Sequence, residues 1–190
     1  MLLWDAQAWV GGDLRKFWIK TEGEYSFDAS EFEAVQVQAL YSRAISPSFD
    51  LQIGLRHDFE PGPSTSYGVL GVQGLAPYWF EVDAAAYLSD AGDVTASIEA
   101  EYELLLTQRL VLQPRAELQF AAGEIAAHQL GSGLTESEIG LRLRYEIRRE
   151  FAPYIGVEWH DLRGDTADIA RLRGEPTSDR VIAAGIRFWF

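Results

Sequence analysis

The stretch Asp93 to Thr107, DVTASIEAEYELLLT, decides the fold class. Val94, Ala96, Ile98, Ala100, Tyr102, Leu104 and Leu106 fall on one parity, and Thr95, Ser97, Glu99, Glu101 and Glu103 on the other. An extended chain, whose successive side chains point to opposite faces, sorts residues in this way. A helix would spread both sets around its circumference. The stretch 135–149, TESEIGLRLRYEIRR, repeats the pattern: Ile139, Leu141, Leu143, Tyr145 and Ile147 oppose Glu138, Arg142, Arg144, Glu146 and Arg148.

Working outward, the same period-two alternation with aromatic and β-branched enrichment predicts strands over 2–11, 14–27, 32–45, 48–60, 65–76, 78–90, 109–122, 151–162 and 180–190. Most of these eleven segments run to 11–14 residues. Soluble strands average about 5 to 6 residues, whereas a tilted strand crossing a bilayer needs about 9 to 11. The connections at 76–78, 107–109 and 149–152 are tight, while 122–136 and 162–180 are long, glycine-bearing and polar, and are expected to be irregular solvated loops. Membrane barrels of the outer-membrane type show this asymmetry, with short periplasmic turns and long outer loops.

Alternation alone does not say whether the apolar face lines a core or meets lipid. Strand length, loop asymmetry and aromatics at strand ends (Tyr25 with Phe27, Tyr78 with Phe80, Phe151, Phe188 with Phe190) favour the lipid-facing arrangement. So does the last segment, in which Ile182, Ala184, Ile186, Phe188 and Phe190 share a face. The expected fold is all-β: one antiparallel up-and-down transmembrane barrel of 10–12 strands, a single domain over 1–190. Even strand parity is the rule for single-chain bacterial barrels. Eleven segments therefore imply twelve strands with one preceding Met1, or ten strands with residues 2–11 left unpaired.

Sixteen basic residues against 29 acidic ones give a net charge of −13, which repels nucleic acid and points to cationic or neutral partners. With no cysteine, thiolate metal sites and Cys nucleophiles are excluded.

If the apolar rows face outward, the lumen receives Lys20, Glu22, Glu24, Asp50, Arg56, Asp58, Glu60, Glu81, Asp83, Glu99, Glu101, Glu103, Arg115, Glu117, Arg142, Arg144, Glu146, Arg148, Glu158 and His160. Two readings follow. The charges form an ion-pair network that plugs the barrel and leaves a structural anchor, since buried charges must be paired. Alternatively the carboxylate excess makes an electronegative path for cations. Of the three histidines, His57 falls on the outward face and His128 in a long loop. His160 looks inward with Glu158 beside it; Asp58 and Glu60 complete a metal set if the barrel brings their strand near. Soft copper(I) chemistry has only Met1 to use. A hydrolase at the outer rim would need an Asp–His pair, but His57–Asp58 and His160–Asp161 are neighbours on a strand and point apart. No nucleophile elbow, phosphate loop or His-Glu-x-x-His motif supports an enzyme.

Several stretches resemble the copper resistance protein B family: WDAQAWVGGD (4–13), KTEGE (20–24), VQALYSRAISPSFDLQIGLRHDF (37–59), VLGVQGLAPYWFEVDAA (69–85), EAEYELLLTQRLVLQPRAE (99–117), GLRLRYEIRREFAPYIGVEW (140–159) and the ending AGIRFWF (184–190). The resemblance implies an outer-membrane protein of Gram-negative bacteria that binds copper or helps export or sequester it. Its partners would be outer-membrane lipid, copper ions and periplasmic copper-resistance proteins. Members of the family usually carry a Met- and His-rich periplasmic region and a further barrel strand ahead of the WDAQAW stretch, so the resemblance puts the softer copper ligands upstream of this sequence.

Overall fold

The structure, a computed structural model, describes residues 2–26, 31–60, 64–148 and 150–189. The chain enters a long antiparallel hairpin, β1 (Leu2–Gly12) and β2 (Arg15–Ser26), and continues through β3 (Glu31–Ala44), β4 (Phe49–Glu60) and β5 (Thr65–Ala76). A three-residue 3-10 turn, Pro77–Trp79, leads to β6 (Phe80–Ser89), β7 (Val94–Glu101) and the two-residue β8 (Leu104–Leu105). β9 (Leu110–Ala121), β10 (Gly133–Tyr145), β11 (Phe151–Leu162), helix α1 (Gly164–Arg173) and β12 (Ser178–Phe188) complete the order. The strands follow one another through a single 12-stranded sheet, β1 to β7 and then β9 to β12, with β8 paired to β9 off the main path. Most connections are too short to cross over, and across the longer ones β9 with β10 and β11 with β12 still pair antiparallel, so the order is up-and-down.

Compact packing divides the chain into two units, Met1–Gly74 with Ala84–Ala96, and Leu75–Asp83 with Ser97–Phe190. In the first, the cross-strand register stacks Lys20 on Gln38 and Gln38 on Arg56, so the polar parity of β2, β3 and β4 shares one face. Leu55, on the other parity of β4, is 68% exposed, while Gln52 is 2% exposed. The second unit repeats the inversion: Ile139 is 57% and Ile182 76% exposed, whereas Arg144 and Glu158 are 4% and 5% exposed. The polar rows are covered and the apolar rows are bare, the reverse of a water-soluble sheet protein.

Aromatic pairs stand near strand ends in both units. Phe17 meets Tyr41 with ring centroids 6.2 Å apart in the first, and Phe80 meets Tyr102 at 5.0 Å and Phe151 meets Phe188 at 5.3 Å in the second. Phe27 and Phe190, expected to share such positions, lie outside the described residues.

Four expectations need correction. Residues 2–11 are not left unpaired: β1 pairs with β2 from Leu2↔Tyr25 to Gly12↔Arg15. The stretch 93–107 is not one strand. It breaks after Glu101 where alternation fails, since Leu104, Leu105 and Leu106 are consecutive and all exposed. The stretch 135–149 ends as a strand at Tyr145, so Arg148 sits exposed in the turn before β11 rather than on the polar row. The 162–180 connection is not irregular throughout. It contains α1, with Asp165 in the first turn and Arg171 and Arg173 in the last, both favourable to the helix dipole. Gly174 closes the helix at φ 75°, its N–H bonding back to Ala170 and Arg171 carbonyls. Thr166, Ala167 and Ala170 are the buried residues of α1, and the Thr166 hydroxyl oxygen accepts the Gly131 N–H at 2.9 Å.

Candidate metal centre at the long-loop end

The hairpin β10–β11 carries the site. Its register places Glu138 directly across from His160 and Gly140 across from Glu158. On the other flank, His160 faces Asp179 of β12. All five residues share the polar parity, so the pairing delivers them to one face near the end with the long connections. His160 Nδ1 lies 3.5 Å from a Glu138 carboxylate oxygen and 3.7 Å from Glu136. Glu138, Glu158 and His160 each offer one ligand atom within 4.8 Å of the other two. Gly140 leaves the space between them clear of a side chain, with Glu158 and Arg115 the nearest groups to where a Cβ would stand.

Two guanidinium groups hold these carboxylates. Arg142 donates from Nε and Nη2 to Glu158 at 3.0 and 2.6 Å. Arg115 donates from Nη1 to Glu138 at 2.9 Å, from Nη2 to Glu117 at 2.6 Å, and from Nε to Glu99 at 2.7 Å. Three carboxylates thus surround one guanidinium, leaving two negative charges in excess around Arg115.

Nearer the short turns, Arg144 bonds Glu103 at 2.8 Å, Glu146 at 3.3 Å and the Gln113 side-chain carbonyl at 3.3 Å, and lies over the Trp189 ring. Glu101 accepts from the Gln113 side chain. In the other unit Arg56 holds Asp58 through both oxygens, at 2.6 and 2.7 Å, between the rings of Tyr67 and Tyr87. Glu22 accepts from Gln36 at 2.5 Å. Glu24 and Asp83 are half-buried, and Glu81 is exposed.

Of the residues expected to hold a metal, the structure brings His160 and Glu158 together. Asp58 is engaged by Arg56, and the Glu60 side chain lies outside the described residues. The sequence reading did not place Glu138, Glu136 and Asp179 beside His160, because a cross-strand partner is defined by register and not by proximity in sequence. His57 turns away with the apolar row, its Nδ1 2.9 Å from the Ser66 hydroxyl and its ring edge-on to Phe59. His128 ends a 3-10 turn in the β9–β10 connection. Asp161 points away from His160 and accepts from Arg163 at 3.0 Å.

Residues 1–190 match the family model for copper resistance protein B precursor. Copper resistance protein B of Escherichia coli is 45% identical over 187 residues, which is 98% of this chain. The chain belongs to the copper resistance protein B family. A copper resistance protein B homolog of Pseudomonas syringae pv. tomato is 43% identical over 189 residues. The chain spans 62% and 64% of the length of these two copper resistance B proteins, so each has further sequence outside the match. Among solved structures, the NanC porin superposes with a TM-score of 0.63 at 11% identity, covering 97% of this chain and 91% of that one. At that identity the likeness speaks to fold: this copper resistance B chain has the all-β, barrel-type architecture of a porin.

Proposed function

We propose that residues 1–190 form one outer-membrane barrel domain serving copper resistance, and that copper(II) engages the barrel at His160, Glu158 and Glu138. The observation that carries this is the convergence of one imidazole and two carboxylates within 4.8 Å in a chain of the copper resistance protein B family. Imidazole and carboxylate donors suit a divalent, borderline ion better than soft copper(I), which prefers sulfur. The bare apolar rows support burial in lipid, and the long-loop end, where the site lies, would then face outward. The ion is cargo in this reading, bound and passed on or sequestered. The acidic rows from Glu99 and Glu101 toward the short turns supply the attraction that draws cations inward.

Copper(II) titration of the chain refolded in detergent tests the site. His160→Ala should weaken binding about tenfold or more, since it removes the sole nitrogen donor of the three; equal affinities would sink the assignment. A second reading, the structural anchor, is favoured by the pairing of Arg115, Arg142 and Arg144 with carboxylates. Planar-bilayer conductance separates the two, because a cation-selective current is incompatible with a plugged lumen.

A further inference from the structure

Each carboxylate of the candidate centre is already claimed by a cation. Glu138 accepts from Arg115, and Glu158 accepts twice from Arg142. Both arginines use the Oε1 oxygens and Glu138 Oε2 faces His160, so a metal ion at the centre would share each carboxylate with a guanidinium that repels it. On the copper reading above, we infer that Arg115 and Arg142 are the resident counter-ions of the centre, and that a divalent cation binds in competition with them.

Both arginines have a second berth. When Arg115 releases Glu138 it keeps Glu99 at 2.7 Å and Glu117 at 2.6 Å. Those two carboxylates still outweigh its charge, so release leaves no unpaired cation. Arg142 already lies over the face of Tyr154, 5.6 Å from its guanidinium carbon, and keeps that contact whatever happens at Glu158. Binding also relieves repulsion, since a divalent ion at Glu138 neutralises part of the carboxylate excess around Arg115. Without the arginines the carboxylates would be permanently open and would hold a copper ion tightly. With them the empty site is charge-compensated and the filled one is in competition with an internal cation. The arginines therefore set affinity and favour fast release over storage.

The two arginines can be tested separately in the full chain refolded in detergent, with copper(II) as the probe and heat-modifiable mobility as the check on folding. Arg142→Gln and Arg115→Gln should each bind copper(II) about tenfold more tightly than the unsubstituted chain, as the competing positive charge beside the carboxylate is gone. Where a Gln variant does not fold, Arg142→Lys or Arg115→Lys keeps the charge but loses the fork, and should tighten binding by a smaller factor. Unchanged or weaker affinity in the variants that fold overturns the inference. If His160→Ala leaves copper binding untouched, the centre itself is misplaced and the inference goes with it. If His160→Ala abolishes binding while the arginine variants do not tighten it, only the counter-ion role is lost.

Discussion

His160 on β11 and Glu138 on β10 are cross-strand partners, with the imidazole Nδ1 3.5 Å from the carboxylate. Neither residue is near the other in sequence, and the relation exists because the turn between Tyr145 and Phe151 sets the hairpin register. A one-residue slip would turn His160 to the apolar face. The geometry of the centre is therefore inherited from the strand pairing, and substitutions that respect it should act locally.

The bare apolar rows make a prediction about lipid. Ile139→Arg, at the middle of β10, should cost about 2 to 4 kcal/mol of folding free energy in phospholipid vesicles, the depth-dependent penalty for a cation at the bilayer midplane. Leu172→Arg, barer still but on α1, should shift stability by no more than about 0.5 kcal/mol, because α1 lies in the connection between β11 and β12. Urea titration of the vesicle-inserted protein measures both. Equal, small costs would mean that Ile139 does not face hydrocarbon.

Arg144 is the most deeply covered cation among the described ion pairs, tied to Glu103, Glu146 and Gln113. Arg144→Met removes the charge while keeping much of the volume. It should destabilise the fold by about 1 to 3 kcal/mol, since two carboxylates are left without their guanidinium. Glu103→Gln should cost less, because that carboxylate is more than a third exposed at its side chain. A larger loss for Glu103→Gln than for Arg144→Met would place the weight of the cluster elsewhere.

Gly174 ends α1 in the left-handed region at φ 75°, with open space where a side chain would project. Gly174→Ala meets no steric obstacle beyond its own backbone, so only conformational strain of about 1 kcal/mol opposes it. Hydrogen exchange should then speed up at amides of Ala167 and Ala170 while the β10–β11 hairpin is unaffected. Uniform acceleration across the hairpin would show that α1 braces the sheet more than its packing suggests.

The strands were legible because alternation is a local property: each of β1 to β6 and β9 to β12 overlaps a stretch whose parity separates apolar from charged residues, with ends shifted by a residue or more at β1, β3, β10 and β12. Legibility failed where the signal is not local or not periodic. Three consecutive leucines at 104–106 carry no parity, so the break between β7 and β8 was hidden. α1 is short and largely polar, and its helical character shows only in the Ala167–Ala170 spacing and the Gly174 stop. The polar row containing Glu138 was readable, yet its meeting with His160 was not. Reading the turn at 149–152 instead of between Tyr145 and Phe151 shifts the register and takes Glu138 away from the histidine. Family resemblance and the sequence pattern agree on the barrel architecture, and neither identifies the partners across a strand.

Electron paramagnetic resonance of the refolded chain with one equivalent of copper(II) tests the central claim most directly. The account predicts superhyperfine coupling to a single imidazole nitrogen, lost in His160→Ala and retained in His57→Ala and His128→Ala. Coupling that survives His160→Ala, or a spectrum of free aqueous copper in the unsubstituted protein, would contradict it.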